Sequence, residues 1–304
     1  MRASILIVEY RTRDYLAECL SALERSEVPR HEFEVIVVDN ASPTPAAKVV
    51  RRFERVRLVQ SRRNLGFAGG NLLGLERARG EAVLLLNPDA VPAPRWLPEM
   101  LRLLRDPTVG VVGCKILHPG TRVLQHAGGV LFPNGRSEHL GRGQDDVGQF
   151  DREQDVSYVC GAGLGIRRDV IDRVGFLSPA YHPAYYEETE LCLRVRRAGY
   201  RVVYNPHAVL EHHESVASGG SRTSAFLERY HEGRMRFVYR NFSPAELLRQ
   251  FLPSELAFLA RVSGAERRIC AKSYARALLS AWRVRAGTPA RGDVAGDTEA
   301  PPGA

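Results

Sequence analysis

The 304-residue sequence has few cysteines, no cysteine pair at metal-ligand spacing and no long apolar run. Its five cysteines lack a C-x-x-C pair or an even framework, which argues against a structural zinc site or a disulfide scaffold. We expect reduced, mostly buried thiols and a cytoplasmic protein. No apolar run reaches the roughly 18 residues of a membrane span, and the one after Arg2 is too short for a signal peptide. We therefore expect a protein that is neither exported nor integral to a membrane.

The positive charge of the sequence is concentrated near its C-terminus. The formal net charge is +8, and residues 228–291 carry thirteen Lys and Arg against five Asp and Glu, which equals the whole surplus. No recognised nucleic-acid motif accompanies these charges, so we expect no nucleic-acid partner. A solvated helical face and an anionic membrane surface are the alternatives that this pattern leaves open.

Apolar runs alternate with helical patterns in the first third of the chain. Strands are predicted at 4–8, 33–38, 56–60 and 82–86, with helices between them, the last of these at 72–79. This order predicts an α/β fold with a mostly parallel central sheet flanked by helices and right-handed crossovers. The length allows one large domain of this kind plus an appendage.

Polar residues follow two of these strands at the edge where ligands of open α/β sheets bind. The second strand ends at Asp39, and the fourth is followed by Asn87, Pro88 and Asp89, where proline stops the strand ladder. A carboxylate at this edge favours a divalent metal that carries a phosphate-rich ligand, because hard cations take oxygen ligands. A turn aspartate that caps the next helix is the alternative for Asp89.

Two stretches of small residues suggest close approach of the backbone to a ligand. The glycine-rich stretch 62–71 precedes the helix predicted at 72–79, and glycines at such a position let backbone N–H groups approach an anion. A second stretch, 160–165, precedes a short strand.

Two later motifs carry ionisable side chains. Glu187, Glu188 and Glu190 open a predicted helix. Interaction with the helix dipole explains Glu190 as well as a functional role does, but it explains the aromatic-flanked pair before it less well. His212 and His213 follow a predicted strand, and such adjacent imidazoles either hold a metal or cap a loop.

Taken in order, these motifs resemble family 2 glycosyltransferases of the GT-A fold, in the branch that includes bacterial rhamnosyltransferase-like enzymes. The resemblance runs from about Ser4 to Phe242. It rests on VVDNAS at 37–42, NLGFAGGN at 64–71, LNPD at 86–89, YEETELCLR at 186–194 and EHHE at 211–214. It implies a GT-A catalytic domain at 1–242, with the nucleotide-sugar half at about 1–115 and the acceptor half at about 116–242.

The resemblance also implies a reaction and the residues that serve it. The reaction is inverting transfer of a sugar from a dTDP- or UDP-sugar to a hydroxyl of a glycan, glycolipid or other glycoconjugate, in cell-surface polysaccharide synthesis. Asp89 and His212 would hold Mn²⁺ or Mg²⁺, and Glu188 would be the general base, with Glu187 beside it. Asp39 would contact the nucleobase or ribose. The other residues expected around the nucleotide sugar are Val8, Glu9, Ser42, Asn64, Gly66, Gly69, Gly70, Asn71, Asn87 and Gly161.

Two departures from the family pattern bear on activity. The family's Thr-Tyr-Asn element is replaced by Glu9, Tyr10 and Arg11, which puts a charge near the expected nucleobase pocket. Glu188 replaces the usual aspartate and extends the carboxylate by about 1.5 Å. The alternative function is therefore a non-catalytic nucleotide-sugar-binding homologue. A sugar nucleotidyltransferase is disfavoured because its glycine-rich signature is missing from the first strand's end.

The basic region at 243–286 is expected to form an amphipathic helical extension. Tyr274, Leu278 and Trp282 recur at helical spacing with the basic residues largely off that stripe. This pattern is typical of a helix on anionic lipid, which would place the protein peripherally at the inner face of the cell membrane. Packing against the protein's own catalytic domain is the alternative. The tail 287–304 is expected to be disordered, and the sequence does not indicate the oligomeric state.

Overall fold

The structure is a computed structural model that describes residues 1–213 and 223–285, with side chains of the last helix described up to residue 277. Its strands are β1 (Ala3–Glu9), β2 (Phe33–Asp39), β3 (Val56–Gln60), β4 (Ala82–Leu86), β5 (Ala90–Pro92), β6 (Val109–Leu117), β7 (Leu124–His126), β8 (Gly129–Leu131), β9 (Ser137–His139), β10 (Gln154–Asp155), β11 (Gly163–Arg167) and β12 (Arg201–His212). Its helices are α1 (Arg13–Glu24), α2 (Ala47–Val50), α3 (Gly66–Leu75), α4 (Trp96–Leu104), α5 (Arg168–Val174), α6 (Glu187–Arg197), α7 (Ser224–Asn241), α8 (Pro244–Glu246), α9 (Leu252–Arg261) and α10 (Gly264–Arg285). A 3₁₀ turn covers Pro179–Tyr181, and a π-helical turn covers Leu247–Phe251.

A mixed sheet forms the centre of the fold, in the strand order β10-β12-β6-β11-β4-β1-β2-β3. Strands β1 to β4 are parallel to one another, as the alternation of strand and helix predicts. β11 lies antiparallel between β4 and β6, and β12 runs parallel to β6. The carboxyl ends of β1, β2 and β4 therefore lie at one edge of the sheet, where they bring together Glu9, Asp39 and the segment that begins at Asn87.

The sheet separates two apolar layers. Ile5 and Ile7 of β1 pack in the cluster that contains α1 and α4, whereas Leu6 belongs to the cluster that contains α5 and α6. This alternation follows from the two-residue period of a strand. Because both faces are covered, β1 and its neighbours are almost continuously apolar, which is why they were recognisable in the sequence.

β12 is longer than its sequence pattern indicates. The apolar pattern ends at Tyr204, but after a register irregularity between Asn205 and Val209 the strand continues to His212. Its last part pairs antiparallel with β5, with His212 opposite Ala90. The expectation that the histidines follow the strand is thus corrected, because His212 is the strand's final residue.

α3 begins at Gly66, so the expected start of this helix at Leu72 is wrong. A β-carbon added to Gly70 would lie 2.5 Å from Val8 Cγ1, and one added to Gly74 would lie 3.2 Å from Val38 Cγ2. Both glycines therefore let α3 pack closely on the sheet. This packing outweighs the low intrinsic helix propensity of glycine. That low propensity is the reason why the sequence predicts a turn for this segment.

The C-terminal helices pack on α7 through a buried ion pair. Arg234 of α7 is fully buried, and its guanidinium donates to both carboxylate oxygens of Glu255 in α9, at 2.7 and 2.8 Å. The same guanidinium lies 2.9 Å from the hydroxyl of Tyr274 in α10. Tyr274 thus faces the protein, as in the packed alternative, whereas the side chains of Leu278 and Trp282 and the whole tail 287–304 lie outside the described part.

Two further expectations can be compared with the structure. All five cysteines are reduced, and all except Cys160 are buried. Across residues 1–213 and 223–285, no helix combines the length and the apolar character needed to cross a membrane.

Candidate active site

Asp89 and His212 lie side by side at the carboxyl edge of the sheet. Pairing of β5 with β12 brings them together, and Asp89 Oδ1 is 3.3 Å from His212 Nε2. Both residues are buried, with 6% and 8% of their surface exposed. In the described part of the chain, no third His, Cys, Asp or Glu completes a metal-binding group. Asp89 offers an oxygen donor of the kind that suits Mn²⁺ or Mg²⁺, His212 adds an imidazole nitrogen, and the other coordination positions remain for a ligand.

Two amides contact the His212 ring. The Asn87 side-chain nitrogen is 3.1 Å from His212 Nε2, on the side that faces Asp89. Gln125 Oε1 is 3.1 Å from His212 Nδ1, on the opposite side of the ring. Gln125 is a functional candidate that sequence reasoning missed, because the glycine-punctuated region 118–148 around it has no pattern that predicts a helix or a strand.

His213 points away from this pair. Its ring packs against Tyr15 of α1 at a centroid distance of 4.7 Å, and its Nε2 lies 3.9 Å from a carboxylate oxygen of Glu18. Its backbone N–H donates to the carbonyl oxygen of Asp89 at 3.0 Å. Of the two adjacent imidazoles, only that of His212 contacts Asp89.

A strained turn presents Glu187 and Glu188 at the start of α6. Tyr185 and Tyr186 have φ angles of 87° and 78°, in the left-handed region that residues other than glycine rarely adopt. The Tyr186 ring is buried, and its hydroxyl donates to the Gly135 carbonyl at 2.8 Å, which holds the turn in place. Strain of this kind is concentrated at functional sites.

The two carboxyl groups that follow have perturbed pKa values. Burial raises the pKa of Glu188 to about 7. Burial, and secondly the charge of Glu188, raises the pKa of Glu187 well above its usual range. Glu187 is almost fully buried, and its Oε1 has no hydrogen-bond partner within the described residues. A carboxyl with a pKa near neutrality can both accept and release a proton at physiological pH.

Glu190 has a structural partner. Its Oε1 accepts from Arg240 Nε at 2.9 Å and lies 3.3 Å from the Asn241 amide nitrogen. This buried carboxylate therefore joins α6 to the end of α7.

Glu9, Asp39 and Ser42 form one network at the carboxyl ends of β1 and β2. Glu9 Oε1 accepts from the Thr12 N–H at 2.9 Å and from the Ser42 hydroxyl at 3.1 Å. Asp39 accepts through both oxygens from the N–H groups of Ser42 and Ala46, each at 3.0 Å. Burial raises the pKa of Glu9, whose Oε2 has no partner among the residues described. The contact of this network with the nucleotide stays a prediction.

Asn40 joins β2 to α3, a role that sequence reasoning did not assign. Its Oδ1 accepts from the Leu65 N–H at 2.9 Å, and its Nδ2 donates to Asn64 Oδ1 at 3.1 Å. Asn64 Oδ1 also accepts from the Gly66 N–H at 2.8 Å. The signal was its position directly after Asp39.

The remaining predicted residues make contacts within α3 or between α3 and the neighbouring segment. The Asn71 amide donates to the Phe67 carbonyl at 2.9 Å, and a β-carbon on Gly161 would lie 3.1 Å from the Phe67 ring. A β-carbon on Gly69 would lie 2.8 Å from Leu65 Cβ. Close packing accounts for these small residues, and their contact with a nucleotide sugar remains a prediction.

Comparison with known proteins identifies the family. The sequence model of glycosyl transferase family 2 matches residues 4–175, more than half of the chain. The chain belongs to glycosyl transferase family 2. The prediction that the chain belongs to this family is confirmed, and the match covers β1 to the end of α5, including Asp39 and Asp89.

Two curated relatives are longer than this chain. The uncharacterized protein y4gI of Sinorhizobium fredii is 37% identical over 233 residues, which cover 72% of this chain and 25% of the relative. The O-antigen biosynthesis protein RfbC of Myxococcus xanthus is 31% identical over 224 residues, which cover 70% of this chain and 17% of the relative. This family 2 chain thus spans a quarter or less of the length of these two proteins.

A solved glycosyltransferase has the same fold. The mannosyltransferase PcManGT of Pyrobaculum calidifontis, solved with GDP-Man and Mn²⁺, superposes with a TM-score of 0.61 at 21% identity. The match covers 94% of this chain and 78% of that one. The expected GT-A fold is confirmed.

Proposed function

We propose that this family 2 chain is a metal-dependent, inverting glycosyltransferase. In this proposal, it moves a sugar from a dTDP- or UDP-sugar to a hydroxyl of a glycan or lipid-linked acceptor in cell-surface polysaccharide synthesis. The observation that carries the proposal is the Asp89–His212 pair, two buried donors at the sheet edge where ligands of this fold class bind. Glu188, with its pKa near neutrality, supplies the second function that such a reaction needs.

Asn87 and Glu188 both lie near the segment from Tyr158 to Ala162. The Asn87 N–H donates to the Ala162 carbonyl at 3.1 Å. Burial raises the pKa of Tyr158, and the charges of Tyr230 and Glu188 add to that effect. Asn87, two residues before Asp89, and the base candidate Glu188 therefore lie near the same short stretch of chain, which supports donor and acceptor sites that adjoin each other.

Each group has a distinct task in the proposed reaction. Asp89 and His212 would hold Mn²⁺ or Mg²⁺, which when bound stabilises the negative charge that develops on a departing nucleoside diphosphate. Glu188 accepts the proton of the acceptor hydroxyl, which is a poor nucleophile until that proton is removed. Glu187 supports the base, because two carboxyl groups this close do not readily ionise together.

The alternative of a non-catalytic homologue rests on the departures at Glu9 and Glu188. The raised pKa of Glu188 favours a functional general base over a site that has lost its catalytic activity. Glu9 accepts two hydrogen bonds from its own loop and Ser42, so it serves the architecture of this end of the sheet. Both observations weaken the alternative.

Substitution of Asp89 tests the proposal. The purified chain is incubated with a panel of dTDP-, UDP- and GDP-sugars and Mn²⁺, and release of nucleoside diphosphate is measured. Asp89→Ala should abolish release and remove metal-dependent binding of nucleoside diphosphate in calorimetry, with an unchanged circular dichroism spectrum. Asp172→Ala, at an exposed position of α5, is the matched control. Metal-dependent binding that persists in Asp89→Ala would refute the ligand assignment.

An anionic membrane surface is part of the same proposal, on residues different from those that the sequence indicated. Leu248, Leu252 and Leu256 follow one another at four-residue spacing and are 68%, 45% and 60% exposed. The exposed Arg249 and Arg261 lie in the same helical segment. An apolar stripe with basic neighbours suits an anionic lipid surface.

Vesicle sedimentation tests the membrane proposal. The wild type should sediment with vesicles of phosphatidylglycerol and phosphatidylcholine, less so as salt rises. Leu252→Glu with Leu256→Glu should reduce binding. Absence of binding, or binding that salt does not change, would contradict it.

A further inference from the structure

Gln125 at the centre of β7 contacts three groups with its side-chain amide, although only 5% of the residue is exposed. Its nitrogen donates to the backbone carbonyl oxygen of His212 and lies 3.1 Å from His118 Nδ1. Its oxygen lies 3.1 Å from His212 Nδ1. One buried amide thus hydrogen-bonds both the backbone and the ring of His212.

These contacts determine the tautomer of His212. A carbonyl oxygen can only accept, so the amide nitrogen of Gln125 must be the atom that faces it. The amide oxygen is therefore the atom that faces the ring, and it can only accept. His212 Nδ1 consequently carries a proton, and in the neutral ring the lone pair of Nε2 is directed towards Asp89 and the amide nitrogen of Asn87.

The backbone of β7 is itself held by an ordered pair of imidazoles. The Cys160 N–H donates to His126 Nε2 at 3.2 Å, so His126 carries its proton on Nδ1. That proton is directed at His139 Nδ1, 3.0 Å away. His139 in turn hydrogen-bonds the backbone carbonyl of Gln125. Gln125 therefore lies on a strand that hydrogen bonds connect to His139 of β9 and to Cys160.

We propose that Gln125 is a positioning residue that keeps His212 in the Nδ1-protonated tautomer and so presents the Nε2 lone pair to a divalent cation beside Asp89. This inference rests on the proposed metal site. A free imidazole interconverts between its tautomers, and only the tautomer with an unprotonated Nε2 can bind metal through that atom. Hydrogen-bond partners of this kind typically contribute 10- to 100-fold to metal affinity.

Two substitutions separate the parts of this role. Gln125→Met keeps the length of the side chain but removes both the acceptor and the donor. Gln125→Glu removes the donor to the His212 carbonyl but keeps an acceptor for Nδ1–H. Gln144→Met, at an exposed position of the neighbouring loop, is the control.

The first measurement is a long-range ¹H–¹⁵N spectrum of metal-free, ¹⁵N-histidine-labelled protein, in which the two ring nitrogens report the tautomer. The wild type and Gln125→Glu should show His212 protonated at Nδ1, whereas Gln125→Met should show a mixture. Unchanged His126 and His139 signals establish that the variant is folded. A single Nδ1-protonated His212 in Gln125→Met would overturn the proposal.

The second measurement is Mn²⁺ affinity by electron paramagnetic resonance. Gln125→Met should bind Mn²⁺ about 10- to 100-fold more weakly than the wild type, and Gln125→Glu should recover most of the loss. Wild-type affinity in Gln125→Met would refute the positioning role if His212→Ala loses affinity in parallel. If His212→Ala binds Mn²⁺ normally, the proposed metal site fails, while the tautomer spectrum still decides what Gln125 does.

Discussion

Replacing Glu188 with glutamine should slow sugar transfer and, at the same time, make the folded protein more stable. Glutamine has nearly the same shape as glutamate, but it cannot accept a proton from the acceptor hydroxyl. General-base catalysis contributes roughly 10²- to 10⁴-fold, which corresponds to about 3 to 5 kcal/mol in the activation free energy. Binding of donor and Mn²⁺ should stay near wild type, because Asp89 and His212 are untouched.

The stability gain follows from the pKa of Glu188. The folded protein raises this pKa from 4.5 to about 7, so the folded state binds the proton more tightly than the unfolded state does. The contribution of Glu188 to stability is therefore fully present below pH 4.5 and is lost as the pH rises through 7. At pH 8 this loss lowers the free energy of unfolding by about 3 kcal/mol, since one pKa unit corresponds to 1.36 kcal/mol. Glu188→Gln has no such loss, because glutamine does not ionise.

Two assays check these expectations. In the wild type, kcat/KM should fall about tenfold for each pH unit below 7, since the base becomes protonated, and this acid limb should be absent from Glu188→Gln. Urea unfolding should show the variant stabilised at pH 8 but much less at pH 5. Glu187→Gln, the neighbouring control, should have a smaller effect on the rate. Wild-type turnover at saturating donor and acceptor, or an equal stability change at both pH values, would refute the reasoning.

Two further predictions concern the packing that positions the site. Gly70→Ala should lower the free energy of unfolding by about 1–3 kcal/mol, because its methyl group would collide with Val8; Gly264→Ala, where a β-carbon meets nothing within 4 Å, is the control, and equal urea midpoints would contradict the packing argument. Glu255→Ala should cost about 3–5 kcal/mol, because it leaves Arg234 buried without its partner, and a thermal midpoint near wild type would show that the ion pair is dispensable.

Several features of the site follow from local sequence patterns. Continuous apolar runs identify β1, β2 and β4, and parallel strands place their carboxyl ends at one edge of a sheet. Asp39 and Asp89 could therefore be assigned to that edge without coordinates. The order of the short motifs, from VVDNAS to EHHE, sufficed to indicate the family. The acidic pair at the start of α6 was also visible, because aromatic residues flank it.

Tertiary structure alone decides which side chains meet and in what chemical state. His212 reaches Asp89 because β12 continues past an irregularity to pair with β5, and Gln125 reaches His212 from β7, a strand too short to show a period. The sequence pattern predicts a turn at the glycines of α3, because their helical conformation depends on contact with Val8 and its neighbours. Helix propensity and hydrophobic periodicity depend on residues within a few positions of one another, whereas these contacts join distant parts of the chain. The raised pKa of Glu188 is also invisible in the sequence, because it results from burial, which the fold alone creates.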